Sequence, residues 1–204
     1  MTPAASANTR EQLLALAQKL IRTRGYHGFS YRDLAEMVGV KTSSIHYHFP
    51  GKDDLLFGAL QDYARRAVSA VQAIDATLPA DARLDRYIGL MESTDCASGE
   101  LCMGGMLAAD VLSLPEPARA ELESFFRKHE AWLAGVLRDG AAQGRLRFAG
   151  TPEAAARAAF ATVQGCLLVA RLFKVPPGIR QALAGLYAVD GAGVAAGQPA
   201  DAPA

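Results

Sequence analysis

The chain has 204 residues, half of them apolar and 21% charged, which is typical of a soluble globular protein with one ordinary domain or two small ones. Lysine and arginine number 21, as do aspartate and glutamate, so the zero net charge argues against a protein that coats nucleic acid along its whole length. No apolar run reaches the roughly 18 residues of a membrane span, and three cysteines, an odd number, do not form a disulfide framework.

Charge is unevenly distributed along the chain. Residues 8–52 hold seven basic and three acidic residues, whereas the remainder holds 14 basic and 18 acidic ones. The sequence therefore predicts a basic head on an acidic body. The N-terminus lacks the charged-then-apolar pattern of a signal peptide, so we expect a cytoplasmic protein with reduced thiols. Residues 1–8 and the Gly-, Ala- and Pro-rich tail 190–204 are predicted to be disordered or flexible.

Helical periodicity runs through the rest of the chain, without alternating strand patterns. In the head, caps and breakers predict three helices: from Thr9 to Gly25, from Ser30 to Gly39, and over 42–48. In the body they predict helices over 52–76, around 84–91, and over 101–114, 115–142, 151–173 and 179–189. The predicted fold class is all-α, with about nine helices: a three-helix head over 9–54 and a helical bundle over 55–189.

The second and third helices, joined by the turn at Gly39, form a helix-turn-helix pattern. Such a pair places its second helix in the major groove while the first braces it. Ile45 and Phe49 are the apolar anchors of that helix, and its other positions carry side chains suited to phosphates and base edges. The predicted DNA-binding residues are Arg32, Lys41, Thr42, Ser43, Ser44, His46, Tyr47, His48 and Lys52. A helical hairpin with a solvated polar face is the alternative interpretation.

The stretch GYHGFSYRDLAEMVGVKTSSIHYHFPGKDDLL resembles the DNA-binding head of the TetR family of transcriptional repressors. The matching positions are Gly25, Phe29, Ser30, Leu34, Ala35, Gly39, Val40, His48, Phe49, Lys52 and Leu55. The resemblance covers residues 9–56, and the rest of the chain matches only in architecture. It implies a homodimer that binds a palindromic double-stranded operator and releases it when a small-molecule inducer binds. Where the family commonly has Tyr this chain has His46, and we expect Tyr47 to replace part of that contact.

By the same resemblance, helices 151–173 and 179–189 are expected to form the dimer interface. The first contains many small residues, which let helices approach closely; they are Ala154, Ala155, Ala156, Ala158, Ala159, Ala161 and Gly165. Closing a monomer core is the alternative role for these helices. A two-fold dimer also suits a palindromic site.

Candidate ligand-binding residues lie in the body. They are Tyr87, Met91, Cys102, Met103, Met106, Phe126, His129, Trp132 and Gln164. His129 lies within an apolar stripe, where it is either a core histidine or a ligand contact. Trp132 and the methionines are equally consistent with core packing. Gly104 and Gly105 leave space on one helix, which fits either a cavity wall or close packing.

Cys102 has a separate interpretation. Its surroundings resemble those of electrophile- or aldehyde-responsive members of the family, and a thiolate at a helix N-terminus would be reactive. A small buried apolar residue is the alternative. A disulfide between Cys96 and Cys102 is possible on spacing, and Cys166 is interpreted as structural.

Sequence motifs of enzymes and metal sites are missing. There is no glycine-rich phosphate loop, G-x-S-x-G elbow, di-iron motif or zinc-type cysteine spacing, and His46 and His48 point to different helix faces. We therefore predict no catalysis, cofactor or metal. The alternative of a different class is a ligand-binding or catalytic bundle with a non-functional head.

Overall fold

A computed structural model describes residues 3–94 and 96–188 of the chain. These residues form nine α-helices and no strand; an isolated bridge pairs Leu146 with Tyr187. The helices are α1 (Pro3–Arg24), α2 (Tyr31–Val38), α3 (Thr42–His48), α4 (Lys52–Gln72), α5 (Ala80–Glu92), α6 (Met103–Ala109), α7 (Glu116–Ala142), α8 (Pro152–Phe173) and α9 (Ile179–Ala182). Short 3-10 helices cover Tyr26–Gly28, Cys96–Ser98, Val111–Ser113 and Ala184–Leu186. The all-α prediction is confirmed.

Local capping determines the helix-turn-helix. The Ser30 side chain accepts from the Asp33 amide while the Asp33 carboxylate accepts from the Ser30 amide, so both ends of a capping box are present. Gly39 ends α2 in the left-handed region with φ of 76°, where glycine has no steric penalty. The bounds of α3 are those predicted.

The predicted disorder of residues 1–8 is wrong from Pro3 onward, because α1 begins there and not at Thr9. Proline is favoured in the first turn of a helix, and the following alanines favour its continuation. Residues 1 and 2 and the predicted flexible tail, 190–204, lie outside the described residues.

Two body helices end earlier than predicted. The α4 helix ends at Gln72 instead of residue 76, because Asp75 accepts from the amide and hydroxyl of Thr77 and so forms a turn. The predicted helix over 101–114 is the short α6 followed by a 3-10 turn, in which the Ser113 hydroxyl donates to the Asp110 carbonyl.

The predicted helix over 179–189 is also wrong beyond its first turn. After α9 the chain forms a 3-10 turn and then pairs with the segment after α7: the Arg147 amide donates to the Leu186 carbonyl and the Ala188 amide to the Arg145 carbonyl. Backbone groups committed to this pairing cannot continue a helix. The second element of the expected dimer interface is therefore one helical turn.

The core has two parts. The head cluster joins α1, α2 and α3 to the first half of α4, through residues such as Leu13, Leu34, Ile45 and Leu56, and it extends into α6 at Leu107. The body cluster lies among α5, α7 and α8. The predicted boundary at 54/55 thus falls inside α4, whose residues up to Leu60 belong to the head cluster.

Candidate nucleic-acid interface and ligand cavity

The third helix is held from beneath and polar on its outer side. Ile45 and the following Phe49 are buried, whereas Lys41, Thr42 and Ser43 are exposed at its N-terminus. Tyr47 extends from the same helix with 77% of its surface exposed. His46 is exposed, and Ser44 is half-buried. The structure therefore gathers most of the predicted DNA-binding residues on and before one short helix.

Tyr31 fixes the C-terminal end of α3 and was not among the predicted site residues. Its hydroxyl donates to the carbonyls of Phe49, at 3.0 Å, and Gly51. Its ring lies edge-on to that of His46, 4.9 Å between centroids. Burial, with the carboxylates of Asp54 and Asp53, raises the pKa of Tyr31 to about 12, so the hydroxyl keeps the proton it donates. These contacts are tertiary and leave no sequence signal.

Lys52, one of the predicted DNA-binding residues, is turned inward in this structure. Its ammonium donates to the Phe29 carbonyl and lies 4.7 Å and 4.4 Å from the ring centroids of Tyr26 and Phe29. Burial lowers the pKa of Lys52. Cation–π contact and a carbonyl compensate the ammonium for its lost water, so this residue stabilises the head and does not project from it.

His48 and Arg32 occupy the edges of the surface. His48 is half-buried, and its Nε2 has no hydrogen-bond partner among the described residues. Arg32 is exposed on α2, 3.2 Å from the Glu36 carboxylate, an exposed pair of little energetic weight. Arg32 is thus free to exchange this partner for a phosphate.

Eight of the nine predicted ligand residues divide into two groups, and the ninth, Met103, is buried in the head cluster. The first group fills an aromatic cluster: the rings of Tyr87 and Trp132 stack at 5.4 Å, and the His129 ring stacks on Phe160 at 5.2 Å. Phe126 meets Phe160 edge-on, and Met91 is half-buried against the same core. These rings pack against one another between α5, α7 and α8.

His129 is the polar member of this cluster. Its Nδ1 lies 3.3 Å from the Tyr87 hydroxyl, and its Nε2 has no partner in the described part of the chain. Burial lowers the pKa of His129 to about 4, so the imidazole is neutral near pH 7. Burial also raises the pKa of Tyr87.

The second group, Cys102, Met106 and Gln164, lines a cavity of about 270 Å³ between α1, α6 and α8. Cys102 is buried, and the Tyr63 hydroxyl donates to its Sγ at 3.6 Å. The Gln164 Nε2 is buried without a hydrogen-bond partner among the described residues. A Cβ on Gly105 would lie 2.5 Å from the Gln164 Oε1, so this glycine makes room for the amide.

The cysteines are thiols. The possible disulfide between Cys96 and Cys102 is therefore not formed in this structure. Cys166 is half-buried on α8, and burial raises the pKa of its thiol.

The α8 helix has one buried and one exposed apolar face. Phe160, Val163 and Leu167 pack into the body, whereas Leu168 and Leu172 are exposed on the other side. By length and composition α8 could span a membrane, with a mean hydropathy of 1.3 over a window that is 33% buried. No membrane span was expected because no uninterrupted apolar run of the sequence is long enough. In α8, charged residues interrupt the apolar ones.

An exposed polar helix of a helix-turn-helix, carried on a larger helical body with a cavity, defines a DNA-binding transcriptional regulator. Residues 13–59 match the family model of the bacterial regulatory proteins of the tetR family, and residues 78–186 match that of the tetracyclin repressor-like C-terminal domain. The chain belongs to the TetR family, as a ligand-responsive DNA-binding repressor.

Individual relatives agree with this assignment. A TetR-family regulator from Agrobacterium tumefaciens is 33% identical, with a TM-score of 0.82 over 90% of this chain and 100% of that one. The transcriptional repressor NemR of Escherichia coli is 26% identical over 186 residues, which are 87% of this chain and 91% of NemR. A regulator from Saccharomonospora viridis, solved in complex with choline, is 26% identical with a TM-score of 0.72, over 87% of this chain and 94% of that one.

Proposed function

We propose that this chain binds a palindromic operator as a homodimer and leaves it when a small molecule binds in the body. The outward polar face of α3 carries the proposal. Tyr47 extends from it, 77% exposed, while Ile45 is fully buried beneath. An exposed aromatic side chain beside hydroxyl groups is suited to phosphate and base-edge contacts.

Two kinds of DNA contact follow from the placement of the residues. Thr42, Ser43 and Tyr47 are exposed on α3 and would reach the floor of the major groove. Lys41 precedes the helix and Arg32 lies on α2, where both would meet the phosphates at the groove edges. In the proposed complex, Lys52 stays inside the head and does not contact DNA.

A second copy of the chain would cover the exposed face of α8. Ala158, Ala161, Gly165, Leu168 and Leu172 are exposed and follow one another at intervals of three or four residues. This spacing forms a continuous seam along a helix, typical of helix–helix packing. The seam supports a dimer formed mainly through α8, with α9 contributing a single turn.

Release follows from linkage between the two sites. Two heads on one face of DNA need their recognition helices about 34 to 36 Å apart. A molecule that binds better when the heads are at another spacing shifts the dimer away from the operator. The choline complex of the S. viridis relative supports small-molecule binding by a protein of this fold.

A gel-shift assay against the DNA that flanks the gene tests the proposal. We expect a shifted complex that weakens with salt and weakens further in Tyr47→Ala. If the head is non-functional, no complex should form, even at protein concentrations at which an unrelated basic protein binds the same DNA. That result would remove the proposal.

Cys102 supports a second candidate function, an electrophile-sensing repressor. Its thiol lines the cavity and accepts from Tyr63, so an adduct would need space that the cavity provides. We expect N-ethylmaleimide to release DNA from the natural chain and from Cys166→Ser but not from Cys102→Ser. Equal release from all three would eliminate Cys102 as a sensor.

We further propose that the chain acts by binding and not by catalysis, and that it works in the cytoplasm, where its DNA lies. NemR of E. coli is a transcriptional repressor and the A. tumefaciens relative a transcriptional regulator, and the sequence carries no glycine-rich phosphate loop or G-x-S-x-G elbow.

A further inference from the structure

We propose that the inducer site is the cavity between α1, α6 and α8, the junction cavity, and that it takes a small uncharged molecule with one hydrogen-bond-accepting oxygen. The inference rests on the proposed ligand-controlled repression and adds the location and chemistry of the ligand. The walls of the junction cavity come from the head, at Arg24 and Gly25, and from the body, at Met106 and Gln164.

The cavity touches the point where the chain leaves α1 for the helix-turn-helix. Gly25 has φ of 79°, a conformation available at little strain to glycine. A Cβ at this position would lie 3.7 Å from the Asp110 carboxylate and 3.8 Å from the Met106 methyl. A ligand beside Met106 therefore sits against the connection between α1 and the reading head.

Hydrogen bonds between head and body surround this connection. The Arg22 guanidinium donates to the Leu101 carbonyl at 2.8 Å. The Arg171 guanidinium of α8 donates to the Thr23 carbonyl at 2.6 Å and contacts the Met106 sulfur at 3.3 Å. Because Met106 both lines the cavity and contacts Arg171, a ligand that moves Met106 also disturbs the contact that joins α8 to α1.

Size and charge define the ligand class. A volume of about 270 Å³ admits about nine non-hydrogen atoms at the ~30 Å³ that each water molecule takes in the liquid. Most of the wall is apolar, and its one basic and one acidic residue, Arg24 and Asp110, leave it without net charge. An unpaired charge is expensive to bury in such surroundings, so a neutral, largely apolar molecule fits best.

Gln164 adds the polar specificity. It lines the cavity, and its buried Nε2 has no acceptor within the described residues. An unmade hydrogen bond at a buried donor is unfavourable, and a ligand oxygen supplies the missing acceptor when the Gln164 amide turns about its soft terminal torsion to face the cavity. The aromatic cluster around His129 is a weaker candidate, because its rings stack on one another within the buried core.

Two isosteric probes test the inference on the full chain without DNA. Acetophenone and α-methylstyrene both have nine non-hydrogen atoms and differ by a carbonyl oxygen against a methylene group. By calorimetry we expect acetophenone to bind about tenfold more tightly. In Gln164→Leu this preference should vanish, whereas in Gln181→Leu, an exposed glutamine on α9, it should remain.

Amide resonances locate the site independently. On addition of acetophenone, the Gly25 and Gly105 amides should shift and the Gly185 amide should not. Gly105→Ala, which adds a methyl group beside Gln164, should weaken both probes.

Any of three results would overturn the inference: equal affinity of the natural chain for the two probes, a preference that survives Gln164→Leu, or no binding of either probe at 5 mM. Because no DNA is present, these results are separate from the gel shift. A chain that binds DNA but neither probe keeps its repressor function and loses this site.

Discussion

The exposed faces of α3 and α8 differ in chemistry. The first carries hydroxyls and an exposed Tyr47, whereas the second carries Leu168 and Leu172, the latter 73% exposed. A polar face is stable in water and needs no permanent partner. An apolar face of this extent marks an interaction surface, because its burial is favourable. The difference fits the two partners that we propose, DNA for α3 and a second copy of the chain for α8.

The largest expected effect comes from placing a charge on the α8 face. Leu172→Asp should weaken self-association by about 100-fold or more, since it removes an interface side chain, worth about 2 kcal/mol at a hot spot, and also buries an unpaired carboxylate. Sedimentation should then find monomers at concentrations where the natural chain is dimeric.

Leu112→Asp is the matched control for this change. Leu112 is 94% exposed but lies on the 3-10 turn after α6. Dimerisation should persist in this variant, and an unchanged dimer in Leu172→Asp would remove α8 as the interface.

The buried face of α8 can be tested through His129, which stacks on Phe160. The unfolded chain binds a proton with pKa near 6.5 but the folded chain only near 4, because burial disfavours the imidazolium. The stability that comes from burying a neutral His129 is fully present above about pH 6.5. As pH falls toward 4, the free energy of unfolding decreases by about 3 kcal/mol.

Denaturant unfolding at several pH values measures that loss. His129→Leu should remove most of it, whereas His27→Gln, at an exposed position, should leave it in place. Identical pH slopes in His129→Leu and the natural chain would contradict a buried neutral His129.

On the polar face, Tyr47→Ala should weaken operator binding by about tenfold to 100-fold, the range of a good base-edge contact. The side chain is exposed, so the dimer and the melting temperature should be unchanged. Fluorescence anisotropy of labelled operator provides the affinity; an unaltered affinity would exclude Tyr47 from the interface.

The smallest expected effect separates two lysines of the head. Lys41→Met should reduce the slope of log affinity against log salt by about one, because one phosphate contact is lost. Lys52→Met should lower stability and leave that slope unchanged, since its ammonium binds the Phe29 carbonyl. A reversed pattern would mean that Lys52 turns outward on DNA.

The head could be predicted from sequence because its signals are local. Ser30 and Gly39 fix the ends of α2 through their own backbone and side chains. The inward turn of Lys52 could not be predicted, because it depends on the rings of Tyr26 and Phe29 in three dimensions.

The body was less predictable for the same reason. Small and apolar residues at helical spacing predicted α8, but the end of α9 depends on pairing between residues 145–147 and 186–188, which periodicity does not encode. The ligand residues also divided according to packing. Gln164 lies at a cavity and Trp132 in a ring cluster, although both sit on helices of similar pattern.

Sedimentation of the chain with a palindromic duplex from the flanking DNA tests the central claim most directly. Two chains should bind each duplex, with half-sites about one helical turn apart or a multiple of that. Moving one half-site by about five base pairs, half a turn, should abolish the two-chain complex. One chain per duplex, or equal affinity for the shifted duplex, would contradict the presentation of two α3 helices to one face of DNA.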